Sequence, residues 1–258
     1  FFGDGVYDAM FTVDHVPLQL DDHLRRFYRS AKKIEIDIPM PFEELRAMVL
    51  DFCRKIDSPD AMAYVQATRG VGMRGHAYRF AGGTPSLWVW VKPDMLDPMD
   101  RSYKAITMED TRYFHCDIKT INLLPAVIYT QRAEEAGCDE TILHRGDRVT
   151  ECAHSNVHIL KDGALKTAPC DNLILPGITR AHRIAQCREM GIPVIEEPFT
   201  VREMMEADEI FFTSASALCC RIDEIDGQKV GGRAPELIAK IQKAAWDEAL
   251  EEVRQING

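Results

Sequence analysis

The sequence predicts two domains of the α+β class, divided near residue 95. Helical and strand-like hydrophobic patterns occur in both halves, without the regular strand–helix alternation typical of a doubly wound sheet. A length of 258 residues is enough for two modest hydrophobic cores. Residues 93–100 are rich in proline and aspartate and are the best linker candidate, so the predicted domains are 1–92 and 101–258.

The first domain is predicted to begin with two helices. Apolar residues from Leu24 to Ile34 recur at helical spacing after Asp21-Asp22, which is an N-cap candidate. A second helix is predicted near Pro41, with an apolar face that runs from Phe42 to Ile56. The strands predicted after these helices are 63–68 and 87–91.

The second domain is predicted to mix strands with three helices. Pro125 is a good first-turn residue and Gly137 a good terminator, so we expect a helix between them. Arg145-Gly146-Asp147 indicates a turn between two strands, and Asp162-Gly163 indicates a second hairpin. The other predicted elements are a strand at 104–108, a helix at about 179–190 and a C-terminal helix at about 235–253.

Composition argues against several classes of function. The formal net charge is -10 and no basic stripe is present, which disfavours nucleic acid as a partner. No apolar run approaches the roughly 20 residues that a membrane span needs. The eight cysteines show neither metal-ligand spacing nor a disulfide framework, so we expect no metal site and a cytoplasmic location.

Two stretches of the first domain are candidates for contact with a ligand. Phe1 to Tyr7 has glycines on both sides of Asp4, which indicates a close backbone approach or simply a turn that enters a strand. This stretch has the pattern of the interior of an element, so we expect residues to precede Phe1. In an extended backbone Arg74 and His76 would point the same way and could bind a carboxylate, although a solvated loop is the alternative.

Two stretches of the second domain are also candidates. Lys119 lies in mostly apolar sequence, and a buried lysine would be a nucleophile suited to Schiff-base chemistry. A lysine that extends from a strand end to water is the alternative. Leu175 to Arg180 has the pattern of a glycine turn that opens a helix at Thr179, which is an arrangement that binds phosphate but is common to many helix starts.

Taken together, in this order and spacing, these stretches resemble the fold-type IV pyridoxal-phosphate enzymes. That family includes branched-chain aminotransferases, aminodeoxychorismate lyases and D-amino-acid transaminases, and the match runs along essentially the whole chain. It implies a smaller N-terminal α/β domain and a larger C-terminal domain that has a mixed or antiparallel sheet and carries the cofactor lysine. The stretches most similar to the D-amino-acid transaminases are 2–7, 23–26, 116–124 and 143–151.

The resemblance implies a role for each matching residue. Lys119 would carry pyridoxal 5'-phosphate and shuttle a proton between the substrate α-carbon and the cofactor C4′. Glu151 would pair with the pyridine nitrogen, which makes the ring an electron sink. Tyr7, Arg74 and His76 would bind the substrate α-carboxylate, with the arginine and the histidine contributed by the neighbouring subunit of a homodimer. The other implied cofactor contacts are Arg26, Leu175, Ile178, Thr179, Ser214 and Ala215.

Five positions depart from the family pattern or adjoin a departure. Asp8 replaces the usual glutamate, and we expect its shorter reach to loosen that corner of the site. Ala9 is expected to widen the pocket, and Ala215 to remove one hydroxyl contact with phosphate. His154 either contacts cofactor or substrate or fills space, and Cys152 is expected to be inert.

The predicted function is transamination between a D-amino acid and a 2-oxo acid, such as 2-oxoglutarate or pyruvate, by a ping-pong mechanism. A branched-chain L-aminotransferase, an aminodeoxychorismate lyase or an (R)-selective amine transaminase is the alternative, and Arg74 and His76 argue against each. A cofactor-free binding protein on the same fold is a third hypothesis. The presence of both Lys119 and Glu151 opposes it.

Overall fold

Helices and strands follow one another irregularly along residues 2–257, the part of the chain that the computed structural model describes. The predicted α+β class is confirmed. The elements are β1 (Gly5–Val13), β2 (Val16–Pro17), α1 (Leu20–Lys33), α2 (Phe42–Lys55), β3 (Ala61–Thr68), β4 (Ser86–Pro93), β5 (Tyr103–Glu109), α3 (Leu124–Glu135), β6 (Glu140–Arg145), β7 (Arg148–Cys152), β8 (Asn156–Lys161), β9 (Ala164–Thr167), α4 (Ile178–Glu189), β10 (Val194–Glu196), α5 (Val201–Met205), β11 (Glu209–Thr213), β12 (Cys220–Ile225), β13 (Gln228–Lys229) and α6 (Pro235–Asn257).

The chain folds into two compact units, and their boundaries differ from the predicted domains. The main break falls between Met95 and Leu96, inside the predicted linker. Two later segments, Ile118–Asn122 and Ala249–Gly258, belong to the first unit. Lys119 therefore lies in the first unit, whereas the sequence placed it in the second domain.

The first unit is a four-stranded antiparallel sheet, in the order β2-β1-β3-β4, with α1 and α2 packed on its core. Alternate residues of β3 are buried, as expected for a strand with one face on a core. Helix α1 buries a stripe of residues at helical spacing, which includes Leu24, Phe27 and Ala31. Its N-cap is Gln19 in the left-handed region, so the predicted cap, Asp21-Asp22, lies in the first turn instead. There the two negative charges favour the positive end of the helix dipole.

The segment that carries Lys119 pairs with β1 because β2 covers only part of that strand. Strand β2 pairs only with Thr12 and Val13, which leaves the beginning of β1 available on that edge. The Tyr7 N–H donates to the Lys119 carbonyl at 3.0 Å, and the Ile121 N–H donates to the Gly5 carbonyl at 3.1 Å. These backbone hydrogen bonds explain why residues 118–122 cluster with the first unit.

The second unit is built on a nine-stranded mixed sheet. Its order is β10-β9-β8-β11-β12-β5-β6-β7, with β13 paired to β12. The pairs β9–β10, β5–β12 and β5–β6 are parallel, and the others are antiparallel. The turn at Asp162-Gly163 joins β8 to β9 with both residues at positive φ, as the hairpin signal predicted. In the described part of the chain, no helix combines the length and the apolar character needed to cross a membrane.

A buried ion pair joins α4 to α6 within the second unit. The Arg183 side chain is fully buried, and its guanidinium donates to the Glu248 carboxylate. Burial lowers the pKa of Arg183, and Glu248 opposes that shift. The guanidinium therefore depends on Glu248 for compensation of its charge.

Replacement of Glu248 by alanine is expected to lower the free energy of unfolding by about 3 kcal/mol or more, because it leaves a buried cation without its counter-ion. Urea denaturation of the purified protein measures this change. Asp247→Ala is the control, since Asp247 forms an exposed pair with Lys243 on the same helix. Exposed pairs contribute at most about 1 kcal/mol, so equal losses in the two variants would contradict the assignment.

Candidate active site

Lys119 lies beside the aromatic side chain of Tyr7. Its Nζ is 4.5 Å from the centroid of the Tyr7 ring, and the side chain is half-buried rather than buried. The Tyr7 ring stacks on Tyr64, which stacks on Trp90 in the next strand. The Lys119 N–H also lies 3.4 Å from the Ser30 hydroxyl on α1. Backbone pairing and an aromatic row thus fix the position of the amine.

A buried ionic cluster lies on the opposite face of β1. Arg26 donates from Nε and Nη2 to the two oxygens of Asp8, at 2.9 and 2.7 Å. His23 Nδ1 lies 2.8 Å from the same carboxylate. Burial alone would raise the pKa of Asp8, but Arg26 and His23 hold it well below its ordinary value. We expected the short Asp8 side chain to loosen this corner, and in the structure it contacts both Arg26 and His23.

Arg74 and His76 lie in an irregular loop rather than in the extended segment that the sequence suggested. Strand β3 ends at Thr68, and both side chains are exposed. They nevertheless converge on one group, because the His76 ring is 4.9 Å and the Arg74 guanidinium 5.5 Å from the Phe2 ring. No described contact within residues 2–257 joins either of them to Tyr7.

Glu151 is one of the buried acids of the second unit. Its Oε2 accepts the Asn156 amide at 2.9 Å and the Leu175 N–H at 3.0 Å. Its Oε1 accepts Arg112 Nη1 at 2.5 Å. Burial raises the pKa of Glu151, and Arg112 opposes the shift. Leu175, which the resemblance placed against the cofactor ring, is thus tied by its backbone to this carboxylate.

Three charged residues near Glu151, namely Asp110, Arg112 and Arg145, were not predicted from the sequence. Arg112 donates to both oxygens of Asp110 and also contacts Glu151. Arg145 lies 3.3 Å from the same aspartate. One sequence signal could have indicated these residues: Asp110 and Arg112 lie two positions apart directly after the end of β5, where their side chains can pair. Glu151, the partner of Arg112, is 39 residues away along the chain, so the contact was not apparent from the sequence.

The four residues predicted to bind phosphate within the second unit come together at the start of α4. The Thr179 hydroxyl donates to the Ser214 carbonyl at 2.8 Å, which joins the helix start to the turn at Ser214–Ala215. Gly177 precedes the helix, and a Cβ there would lie 2.0 Å from Asn156 Oδ1. A side chain at this position would therefore displace the Asn156 amide, which donates to Glu151. The first-turn N–H groups of a helix and its dipole favour an anion at this end.

His154 and Cys152 follow Glu151 in the sequence but have different surroundings. His154 Nδ1 lies 2.8 Å from the buried Glu140 carboxylate, and 57% of the His154 side chain is exposed. Glu140 also accepts the Ser155 hydroxyl at 2.7 Å. Cys152 is fully buried, and burial raises the pKa of its thiol well above the ordinary value. These contacts support an inert thiol, and they give His154 a carboxylate partner.

The donor sets fit pyridoxal phosphate. The start of α4, with its first-turn N–H groups and Thr179, suits a phosphate group. Glu151 is a buried carboxylate, and such a group suits a protonated ring nitrogen. Lys119 provides a primary amine held beside an aromatic ring.

Comparison with known proteins agrees with this chemistry. Residues 5–225 match the aminotransferase class IV family. The chain is 37% identical to the D-alanine aminotransferase of Bacillus licheniformis over an alignment of 254 residues. The alignment covers 97% of this chain and 89% of that protein. It is 36% identical to the D-alanine aminotransferase of Listeria monocytogenes serotype 4b over an alignment of 255 residues. That alignment covers 97% of this chain and 88% of the relative.

Solved structures share the fold. The branched-chain amino acid aminotransferase of Escherichia coli superposes with a TM-score of 0.84 at 25% identity, over 95% of this chain and 84% of that one. A putative 4-amino-4-deoxychorismate lyase of Legionella pneumophila superposes with a TM-score of 0.87 at 21% identity, over 95% and 91%. The chain therefore belongs to the aminotransferase class IV family, and it is a pyridoxal-phosphate-dependent aminotransferase of fold type IV.

Proposed function

We propose that this enzyme transfers the amino group of a D-amino acid to a 2-oxo acid by a ping-pong mechanism. The observation that carries the proposal is the similarity to D-alanine aminotransferases along nearly the whole chain. Arg74 and His76 support it, because their side chains converge on one ring and could together bind a carboxylate. D-Alanine with pyruvate or 2-oxoglutarate is the expected type of substrate pair.

Lys119 is proposed as the residue that carries the cofactor and moves the proton. Bound pyridoxal phosphate supplies an electron sink for the electron pair left when the substrate α-carbon loses its proton. Once it is no longer bonded to the cofactor, the Lys119 amine would accept this proton and move it to the cofactor C4′. Its backbone pairing to β1 and its contact with Tyr7 hold the amine in a fixed place, which favours proton transfer.

The remaining contacts divide between the ring and the phosphate. Glu151 is proposed to pair with the ring nitrogen, and Leu175 to pack against the ring. Arg26 and the start of α4 are proposed to bind the phosphate. The residues proposed at that helix start are Ile178, Thr179, Ser214 and Ala215.

The substrate carboxylate is proposed to bind Tyr7, Arg74 and His76. A guanidinium is well suited to a carboxylate because it offers donors in a planar fork. We propose that Arg74 and His76 are contributed across the interface of a homodimer. An exposed apolar stripe on α3 supports self-association, since Leu124 is 71%, Val127 62% and Ile128 46% exposed.

A cytoplasmic location is proposed from the cysteines. All eight are free, and five of them are buried. A protein of an oxidising compartment more often pairs its cysteines, so free thiols favour a reducing one.

The stereochemical proposal is tested by the visible absorbance of the cofactor-loaded protein. D-Alanine is expected to bleach the visible band and to release pyruvate, because its amino group moves to the cofactor. L-Leucine is the control and should leave the band unchanged. Bleaching by L-leucine alone would assign the enzyme to the branched-chain type, and preference for an amine without a carboxylate would assign it to the amine transaminases.

Replacement of Lys119 by alanine is expected to abolish turnover, because it removes both the cofactor attachment and the proton carrier. Borohydride reduction of the wild type followed by peptide mass spectrometry should find the cofactor on the peptide that contains Lys119. Lys104→Ala is the control, since Lys104 pairs with Glu224 at the surface. Cofactor attached to another lysine would refute the assignment.

Replacement of Arg74 by alanine is expected to raise the KM for D-alanine roughly 10- to 100-fold, the equivalent of one charge-assisted hydrogen bond. Steady-state kinetics should show a much smaller change in kcat. Arg79→Ala is the control, because Arg79 lies in the same loop against Phe80 and has no proposed role. A wild-type KM in Arg74→Ala would remove this residue from the carboxylate site.

Mixing of two variants tests whether Arg74 acts across the interface. A heterodimer of Lys119→Ala and Arg74→Ala subunits would contain one site with both wild-type residues. Unfolding and refolding the two variants together should then recover activity at low D-alanine concentration. Lack of recovery in a mixture that forms dimers would place Arg74 in the site of its own subunit.

A further inference from the structure

The charge of Glu151 depends on a cation that neither the sequence motif nor the proposed function includes. The carboxylate is buried, and a buried negative charge is costly unless a positive group compensates it. Two of its donors, the Asn156 amide and the Leu175 N–H, are neutral. Arg112, with Nη1 at 2.5 Å from Oε1, is the cation in contact with it.

Arg112 is itself held in one orientation. Its Nε and Nη2 donate to the two oxygens of Asp110, both at 2.9 Å, in the bidentate arrangement that fits a guanidinium to a carboxylate. Asp110 is fixed in turn by the Thr150 hydroxyl at 3.0 Å and by Arg145. The Nη1 side of the guanidinium is thereby directed at Glu151.

The donors around Glu151 also determine where a further donor can bind. A carboxylate offers about four acceptor positions, two on each oxygen. In the part of the chain that the structure describes, Asn156 and Leu175 occupy Oε2 and Arg112 occupies one position on Oε1. The next donor is therefore expected at Oε1, the oxygen that Arg112 contacts.

We propose that Arg112 is a positioning residue that keeps the proton shared by Glu151 and the cofactor on the ring nitrogen. The proposal rests on the proposed function, since it takes Glu151 as the partner of that nitrogen. Two arrangements have the same total charge. In one, the Glu151 carboxylate faces a protonated nitrogen; in the other, the proton has moved to Oε1 and an uncharged acid faces a neutral nitrogen.

Arg112 stabilises the first arrangement, because only there is the group that it contacts negatively charged. Without Arg112, the burial of Glu151 favours the uncharged acid. The ring would then lose its proton and become a weaker electron sink. Asp110 acts one step further away, by orienting the guanidinium.

The test is the nitrogen-15 NMR shift of the cofactor ring nitrogen in the holoenzyme, loaded with ring-labelled pyridoxal phosphate. The wild type should give the shift of a protonated ring. Arg112→Met should move it toward that of a neutral pyridine, with a loss of cofactor affinity on the order of tenfold or more. Arg112→Lys, which keeps the positive charge but not the planar guanidinium, should give a smaller change in the nitrogen-15 shift. A purely structural role would not move this shift in a loaded, folded protein.

Arg101→Met is the matched control, since Arg101 pairs with Asp139 in the same unit and contacts neither Glu151 nor Asp110. Its ring-nitrogen shift should equal that of the wild type. A protonated ring in loaded Arg112→Met would overturn the proposal for Arg112 and leave the proposed function intact. An unprotonated ring in the wild type would instead overturn the role proposed for Glu151, and with it the role proposed for Arg112.

If Arg112→Met does not fold, the double variant Arg112→Met with Glu151→Gln keeps the proposal testable. The double variant removes the charge of Glu151 together with that of Arg112, and Arg145 remains as the cation beside Asp110, so folded yield should recover. Recovery would support the coupling between the two residues, and failure to recover would contradict it.

Discussion

The position of Lys119 depends on one feature of the first sheet, the incomplete cover of β1 by β2. Two residues of β2 pair with the end of β1, and the beginning of that strand is left with unpaired backbone groups on the same edge. Residues 118–122 satisfy those groups, and the hydrogen bond from Tyr7 to the Lys119 carbonyl is part of that pairing. A strand that β2 covered along its whole length would have no place for the lysine.

Both units hold buried carboxylates whose partners include an arginine. In the first unit Asp8 contacts His23 and Arg26, and in the second Asp110 and Glu151 share Arg112. A buried charge with several donors has little freedom to rotate, and its protonation depends on its neighbours rather than on solvent. Fixed charges of this kind suit a cofactor whose chemistry depends on where protons reside.

Much of the secondary structure could be predicted from the sequence, because it depends on local signals. The apolar stripe of α1 and the Asp162-Gly163 turn are examples. The sequence did not predict that Lys119 lies in the first unit, because a five-residue segment without regular structure has no pattern of its own. The contact between Arg112 and Glu151 was missed for a related reason. The two residues are 39 positions apart in the sequence, and the pairing of β5, β6 and β7 brings them together. Residue patterns indicated Lys119, Arg74 and His76 as candidates, the resemblance to a family implied their roles, and the structure shows their contacts.

The division of the chain into units affects how the protein can fold during synthesis. The chain leaves one unit for the other after residues 95, 117, 122 and 248, and Ala249–Gly258 belongs to the first unit. Within that unit, Glu252 accepts the Gln19 N–H at the start of α1, and Asn257 contacts Asp14 in the first hairpin. The first unit therefore waits for residues 249–257 before these contacts are complete. Partly synthesised chains therefore expose an unfinished first unit while residues 123–248 of the second unit are made, an interval in which chaperones can act on nascent proteins.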